Sequence, residues 1–498
     1  MLRVLGSPKR FCDGITRRDM LLAGGLGTMG LGLPEFLQFA EGRTAATAAR
    51  SFGRAKSCIL LFLYGSPSQL ELADMKPDAP AEIRGELRPI RSTLPGCDVC
   101  ELLPNTSRVM DKLTVVRSMT HPYPIHGVAF ATTGIPQIDV AMELSPRDGR
   151  HWPFMGSVVD YVQREREQGR PRRGVPDNIA LPWQFSSQRV GEVPRAGPYA
   201  AFLGNAHNPL WTEFHGQATG HIVKTLGEQR LDVLEPYVGI TPDSRFELAT
   251  TSQLAPEITL DRLSRRRSLV EQFDRARQRH DEEGVTRGMD RYREMAYNMI
   301  GSDRIQRALD IGREPRNLRE SYGMTVFGQA SLAARRLVEA GSRFVTVFWD
   351  EFGLAGSGWD THWEHYPRMK NELMPGFDMA LSGLIRDLDG RGMLDETLVL
   401  VLSEHGRTPR INSARGGGRD HWSEVYSILM AGGGVARGRV VGRSDRHGAT
   451  VAERPVSPKD ILATTYHLLG IDPETTVTDR IGRPLPLVSG NVVSEALA

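Results

Sequence analysis

The sequence predicts an α/β fold in which a central, mostly parallel sheet lies between layers of helices. Short runs of apolar residues alternate along the chain with longer segments of helical character. Continuous apolar runs are typical of strands that are buried on both faces, and their alternation with helices is the pattern of a parallel sheet. Polar side chains follow several runs directly, which is where open α/β sheets bind ligands.

Six apolar runs are predicted as sheet strands because each is short and bounded by turn residues. They are residues 58–64 (CILLFLY), 113–119 (LTVVRSM), 178–183 (NIALPW), 343–349 (RFVTVFW), 397–402 (TLVLVL) and 426–431 (YSILMA).

The predicted helices have recognisable ends. The segment 331–341 ends at Gly341, which is a common helix stop. Residues 458–470 place Pro458 in the first turn and Gly470 just past the last one. Residues 260–312 and 372–391 also have helical patterns, and the first of these is heavily charged.

The N-terminus has the order of elements found in an export signal. Residues 16–22 (TRRDMLL) precede a Gly-rich apolar segment and an Ala-rich run at 44–49. The paired Arg17 and Arg18 indicate a twin-arginine-type signal peptide and linker over residues 1–49, followed by one domain over 50–498. A basic N-terminal helix that stays attached is the alternative.

Export predicts a location in the periplasm, outside the cell or at its surface. The apolar part of the signal is short and is broken by glycines and Pro34, which argues against a stable membrane span. A formal charge of only +2 gives no reason to expect a nucleic-acid partner.

The sequence has four cysteines, and two of them form the motif GCDVC. A lone C-x-x-C is compatible with a redox pair or half of a zinc site. No second C-x-x-C is present in the sequence, so a local disulfide or two inert thiols at Cys97 and Cys100 is the favoured interpretation.

Three acid–histidine pairs lie close to predicted strand ends. They are Asp360 with His362, Glu404 with His405, and Asp420 with His421. Carboxylate oxygens and imidazole nitrogens together suit zinc, manganese or iron. We therefore predict all six residues as metal ligands, since two such ions about 4 Å apart can clamp the attacking and leaving oxygens of an ester hydrolysis.

Each pair also has a plainer interpretation, as a helix cap or a surface hydrogen bond. Clustering favours the metal, because grouped histidines and carboxylates mark such sites. Arg407 and Arg419 are predicted to hold a tetrahedral oxyanion through bidentate hydrogen bonds. His365 is expected one helical turn past His362, either as a cap or facing solvent.

Five segments resemble, in order, the exported family catalogued as domain of unknown function 1501 (DUF1501). They are LLFLYGSPSQLELADMKPDAPAEIRGEL, VVRSMTHPYPIHGVAFATTG, GWDTHWEHYPRMKN, SEHGRTPRIN and GRDHW. That family looks like a sulfatase-like branch of the alkaline phosphatase superfamily. The resemblance implies an alkaline-phosphatase-like sheet between helices and the hydrolysis or transfer of phosphate or sulfate esters. It also implies divalent metal: two ions of zinc or manganese, or a single calcium.

The resemblance assigns roles to five of the predicted ligands. SEHG looks like the Asp-His-Gly at a strand end of the superfamily, with Glu404 in place of the aspartate. Asp360 and His362 resemble the preceding ligand motif, and His421 resembles the later lone histidine.

The first turn departs from the family pattern Gly-Pro-Ser-His-Leu-Asp. The sequence SPSQLE places Gln69 where relatives have histidine and Glu71 where they have aspartate. Gln69 is a poor metal ligand, so Glu71 or Asp74 is the candidate to act there instead.

The nucleophile is not identified by any motif. The sulfatase signature Cys-x-Pro-Ser-Arg is absent from HPYPIHGVAFATTG, which has no cysteine to become formylglycine, and this argues against a standard sulfatase mechanism. Hydroxyl nucleophiles remain available at Thr120, which we favour, and at Ser118, Thr132 and Thr133. His121 and His126 are candidate ligands or general bases.

The sequence thus predicts an exported, metal-dependent hydrolase of phosphate or sulfate esters, acting on a small molecule or a polysaccharide. A non-catalytic relative that binds a glycan or supports a surface complex is the alternative. The resemblance also suggests a cytochrome-domain partner, since such proteins are often encoded beside members of the family.

Overall fold

The computed structural model describes residues 50–146, 148–167, 175–185, 188–189, 195–226, 229–249, 303–350, 352–353 and 358–498. The predicted signal peptide at 1–49 and most of the charged helical segment at 260–312 lie outside the described residues.

One nine-stranded sheet forms the centre of the molecule. Its strands are β1 (Ser57–Leu63), β2 (Leu113–Met119), β3 (Asn178–Leu181), β4 (Leu210–His215), β5 (Arg245–Leu248), β6 (Phe344–Trp349), β7 (Thr397–Leu402), β8 (Tyr426–Ala431) and β9 (Arg439–Val441). Their order across the sheet is β5-β4-β3-β6-β1-β7-β8-β2-β9. Only β5 and β8 run against the common direction, so the predicted mostly parallel sheet is confirmed.

Four long helices cover the two faces of this sheet. They are α1 (Met155–Arg166), α2 (Val326–Ala340), α3 (Met374–Gly390) and α4 (Pro458–Leu468). Side chains of β1 alternate between the faces, as the two-residue period of a strand requires. Ile59 and Leu61 pack in the core that holds α2 and α3, whereas Leu60 and Phe62 pack in the core that holds α1 and α4.

Capping fixes where the helices begin. The Thr325 hydroxyl accepts a hydrogen bond from the Gly328 backbone, so α2 begins at Val326, five residues before the predicted start. It ends at Gly341, as predicted. α4 begins with a capping box in which Ser457 and Asp460 satisfy each other's backbone N–H groups.

The remaining helices and strands are short or lie outside the sheet. The helices are Ala81–Arg84, Val128–Thr133, Val140–Glu143, Asp303–Leu309, Arg316–Ser321 and His365–Arg368. The paired strands are Ala218–Leu226 with Gln229–Ile240, Pro89–Ile90 with Val99–Cys100, Gln188–Arg189 with Phe352–Gly353, Gly406–Arg407 with His421–Trp422, Arg443–Ser444 with Val451–Glu453, and Thr476–Thr478 with Pro484–Pro486. Among the helices of the described ranges, none has the length and apolar character to cross a bilayer.

The C-x-x-C motif holds two free, buried thiols. Burial raises the pKa of Cys100 to about 12 and also raises the pKa of Cys97. The Cys97 sulfur accepts a hydrogen bond from Nη2 of Arg117 at 3.0 Å. Because the reactive thiolate is disfavoured at both positions, the structure agrees with two inert thiols.

Candidate metal centre

The predicted site residues lie in loops at one edge of the sheet. The carboxyl ends of β1, β2, β6 and β7 meet there, and the antiparallel β8 places its amino end at the same edge. The loops at this edge carry Gly65, His126, Asp360, His362, Glu404, His405 and His421.

The outer group consists of Asp360, His362 and His421. Asp360 Oδ1 lies 3.0 Å from His362 Nε2 and 3.1 Å from His421 Nε2, and the two Nε2 atoms are 3.1 Å apart. His362 turns its other nitrogen, Nδ1, to Asp420 Oδ1 at 2.7 Å. The hydrogen bond to Asp360, with a further one to Asp420, raises the pKa of His362 in the metal-free protein, and Nε2 would offer a lone pair once its proton is lost. Asp420 therefore orients a ligand in this arrangement and is not one of the three donors.

The inner group consists of His126, His405 and His421, so the two groups share His421. His405 Nδ1 lies 2.8 Å from the carbonyl oxygen of Gly406, which only an N–H can satisfy. Its Nε2 therefore carries the lone pair, and that buried atom has no hydrogen-bond partner among the described residues. A histidine tethered to a backbone carbonyl through one nitrogen, with the other nitrogen free, has the geometry of a metal ligand.

Glu404 lies between the first turn and the inner group. Its Oε1 accepts a hydrogen bond from the backbone of Gly65 at 2.7 Å and lies 3.0 Å from His126 Nδ1. Its Oε2 is buried without a hydrogen-bond partner in the described part of the chain. Gly65 has φ of +89°, and a Cβ there would be 2.4 Å from the backbone nitrogen of Asp360. Glycine is therefore required where the first turn approaches the site.

The histidines of the site differ in charge. Burial opposes the charge on His126, but hydrogen bonds to Asp360 and Glu404 prevail and raise its pKa to about 10. Burial lowers the pKa of both His405 and His421. Without metal, His126 is thus an imidazolium between two carboxylates, while His405 and His421 are neutral imidazoles that can donate lone pairs.

Arg407 is completely buried beneath the site. Its guanidinium donates to Asp360 Oδ1 (2.5 Å) and to the backbone carbonyls of Ser66 (3.1 Å), Arg419 (3.1 Å), Trp359 (3.4 Å) and Gly65. These bonds join the loops after β1 and β6 to the loop that carries His421. In the described structure Arg407 holds the ligand-bearing loops together, and its donors are used on the protein itself.

Arg419 is buried in the same way behind the outer group. Its Nη2 lies 2.6 Å from Glu71 Oε1, and it also donates to the carbonyls of Thr408 and Ile83 at 3.0 and 2.7 Å. Burial alone would raise the pKa of Glu71, but the charges of Arg419 and His365 lower it to about 2. Glu71 therefore neutralises the buried guanidinium of Arg419. It belongs to neither of the two groups that could hold a metal, the inner and the outer group, which we call the metal-capable groups.

His365 is buried and packs against Glu71, which corrects the expectation of a cap or a solvent-facing ring. Its Nδ1 is 2.7 Å from the hydroxyl of Thr361, and its Nε2 is 3.5 Å from Glu71 Oε2. The other predicted substitute ligand, Asp74, is 2.9 Å from Lys76 Nζ and accepts a hydrogen bond from Ser444. Neither acid of the first turn reaches the metal-capable groups.

His121 supports Glu404 through the backbone. Its Nε2 lies 2.7 Å from the carbonyl oxygen of Glu404, and its Nδ1 accepts a hydrogen bond from the Tyr123 backbone at 3.2 Å. Burial lowers its pKa to about 4, so the ring is neutral. Both nitrogens are therefore engaged with the main chain, and His121 is outside both metal-capable groups.

Two of the four predicted hydroxyl nucleophiles are engaged in local structure. Thr132 and Thr133 donate to the carbonyls of Val128 and Ala129 within their own helix. The Thr120 backbone donates to the Val456 carbonyl at the end of β2. The hydroxyl of Ser118 is buried without a hydrogen-bond partner in the described residues. None of these contacts pairs a hydroxyl with a histidine base.

The donor set fits a transition metal. Four histidines, a carboxylate and the unpartnered Glu404 Oε2 offer the nitrogen and oxygen atoms that zinc and manganese bind. Calcium prefers about six to eight oxygen ligands, which this imidazole-rich arrangement does not offer.

The family model described as "Protein of unknown function (DUF1501)" matches residues 55–497. This match confirms the resemblance drawn from the motifs. No curated protein sequence matches this chain.

Several solved structures are distantly similar. The PsFucS1 sulfatase from Pseudoalteromonas sp. has 12% identity and a TM-score of 0.36, over 92% of this chain and 76% of its own. The phosphonate monoester hydrolase of Agrobacterium radiobacter has 14% identity and a TM-score of 0.34, over 89% of this chain and 77% of its own. Likenesses this distant do not establish a shared activity.

Proposed function

This chain belongs to the DUF1501 family, and from that premise we propose that it is an exported, metal-dependent hydrolase of phosphate or sulfate esters. One observation carries the proposal. The buried Nε2 of His405 has no hydrogen-bond partner in the described residues, and His405 offers a donor atom within 4.8 Å of donor atoms of His126 and His421. Leaving a buried polar atom unpaired costs roughly 1–3 kcal/mol, which a bound cation would offset.

The inner and outer groups would hold zinc or manganese. Binding would require His126 to release its proton, and His421 could serve an ion in each group only by losing its N–H proton as well. A bound ion would polarise the ester and acidify a water molecule. The protein's own contribution is orientation: Asp420 and the Gly406 carbonyl direct His362 and His405, while Arg407 fixes Asp360. Such supporting contacts are worth about 10–100-fold in metal affinity.

His126 is the residue best placed to carry a proton. Its two nitrogens lie 3.0 Å from Glu404 Oε1 and 3.4 Å from Asp360 Oδ2. It can therefore hold a proton at either nitrogen, next to a carboxylate that accepts it. The sequence predicts two roles for His126, general base or metal ligand, and either role requires the ring to release this proton.

The substrate class and the location rest on the sequence motifs. The resemblance of SEHG, GWDTH and GRDHW to a sulfatase-like superfamily supports a phosphate or sulfate ester of a small molecule or a polysaccharide. The twin-arginine-type signal at 1–49 supports export to the periplasm or the cell surface. A cytochrome-domain protein remains the proposed partner.

The first experiment is to purify the mature protein without chelator and measure metal per chain. The same preparation is assayed on aryl phosphate, phosphonate and sulfate esters before and after chelation. We expect bound zinc or manganese, and hydrolysis that chelation removes and metal restores. Metal-free folded protein, or no turnover on any ester with metal bound, would count against the proposal.

A second candidate is a metal-containing binding protein without turnover. The observation that favours it is the engagement of the guanidinium donors of Arg407 and Arg419 with backbone carbonyls and buried acids. Saturable binding of a sulfated glycan by metal-loaded protein, without release of sulfate, would favour this candidate.

A further inference from the structure

We propose that Gln69, in the turn after β1, is a positioning residue for His405 and His421. This inference rests on the proposed metal centre. Gln69 is almost fully buried, and its side-chain hydrogen bonds within the described ranges go to main-chain atoms. Its Oε1 accepts a hydrogen bond from the Arg407 backbone at 3.1 Å, and its Nε2 donates to the Arg407 carbonyl at 2.9 Å.

A third bond extends this support to another loop. Nε2 also donates to the carbonyl of Gly448 at 3.0 Å, so three of the four hydrogen-bonding positions of the amide are used. The amide also packs against Gly406, where a Cβ would come within 2.7 Å of Gln69 Oε1. None of these three bonds goes to a side chain of the inner or the outer group.

The bonded backbone carries two of the proposed ligands. Gly406 and Arg407 form a short antiparallel ladder with His421 and Trp422, in the pairs Gly406–Trp422 and Arg407–His421. His405 directly precedes that ladder. By holding both backbone groups of Arg407, Gln69 sets the position of the ladder, and with it the approach of His405 to His421.

Only an amide provides this set of bonds. A glutamate has no donor for the two carbonyls, and a neutral imidazole has a single N–H. The donors and the acceptor of its amide therefore explain why glutamine stands at this position. The explanation does not require that a metal ligand was lost there.

The test compares Gln69→Met with Gln329→Met as a matched control. Gln329 in α2 is also buried and makes the same kind of bonds: Nε2 donates to the carbonyls of Arg319 and Gly323, and Oε1 accepts from Arg319 Nε. Gln329 belongs to neither metal-capable group. Both variants lose three hydrogen bonds, so both are expected to unfold at a lower temperature.

The decisive measurement is zinc affinity, by chelator competition on folded protein, with the visible spectrum of the cobalt-loaded protein as a second measurement. We expect Gln69→Met to bind zinc about 10-fold or more weakly and to alter the cobalt spectrum, with Gln329→Met unchanged in both. Wild-type affinity in Gln69→Met would overturn the inference. So would tighter zinc binding by Gln69→His, because position 69 would then act as a ligand position. If the wild type itself binds no metal, the proposed function fails first.

Discussion

The inner and outer groups share His421 but differ in what surrounds them. The inner group is all imidazole, and backbone atoms support it: the Gly406 carbonyl orients His405, and the Gly65 amide holds Glu404 beside His126. The outer group contains a carboxylate, and its supporting residue Asp420 has a side chain that is 53% exposed. Backbone tethers cannot rotate away, whereas an exposed side chain can. We therefore expect the inner group to hold its ion tightly and the outer group to exchange its ion.

The largest expected effect is that of removing the shared residue. His421→Ala takes a donor from both groups, so metal content should fall to the level of a chelated sample. His447→Ala is the control, because His447 belongs to neither group. Elemental analysis of the purified variants gives the ratio of metal to protein. Full metal content in His421→Ala would contradict the assignment of His421 to both groups.

Removing His405 separates the two groups. His405→Ala should lose the tightly held ion and keep one that chelator strips within the dead time of mixing. His362→Ala should show the reverse, with the slowly released ion retained. Timed removal of metal by chelator, followed optically, distinguishes the two variants. Identical release curves would mean that the groups do not bind separate ions.

Asp420→Asn should weaken the outer group alone. Asparagine keeps the shape of the side chain but removes the charge that faces His362 Nδ1, so we expect a loss of about 10-fold in affinity for the exchangeable ion. Zinc competition titrations would show one weakened step and one unchanged step. An equal loss in both steps would show that Asp420 acts on the whole site.

The smallest expected effect concerns Glu71, which lies behind both groups. Its folded pKa of about 2 is below its ordinary value of 4.5, so its contribution to stability is complete above pH 4.5 and is lost as pH falls toward 2. Between pH 7 and pH 4, the wild type should lose about 1 kcal/mol more unfolding free energy than Glu71→Gln. Urea unfolding of metal-free protein at both pH values measures this difference. A larger loss of unfolding free energy at acid pH in Glu71→Gln than in the wild type would contradict the lowered pKa of Glu71.

Strand-end chemistry explains how much of the site was predictable from sequence. Apolar runs located the central strands. The parallel direction of β6 and β7 brought Asp360 and Glu404 to one edge, where the amino end of the antiparallel β8 adds His421. The strands β4, β5 and β9 were not predicted, because they lie at the sheet borders and sequences such as LWTEFH mix polar and apolar residues there.

Side-chain direction in the loops was not predictable. Arg407 and Arg419 were predicted to face an oxyanion, but their directions depend on carbonyls of segments that are distant in sequence. His126 was an open candidate, and its place between two carboxylates has no local signal. An amide such as Gln69 that bonds only to backbone leaves no sequence pattern at all, since its partners are peptide groups common to every residue.

The hydrogen bonds of Arg407 also imply an order of steps during folding, in which distant segments of the chain meet before metal is bound. Its guanidinium reaches carbonyls 342 and 341 residues earlier in the chain. Closing such long loops carries an entropic cost that other packing must offset first. The proposed metal centre would therefore form only after the two distant parts of the chain have met, and metal uptake would then report completed folding. A refolding experiment that follows cobalt absorbance and sheet formation together should show the absorbance last.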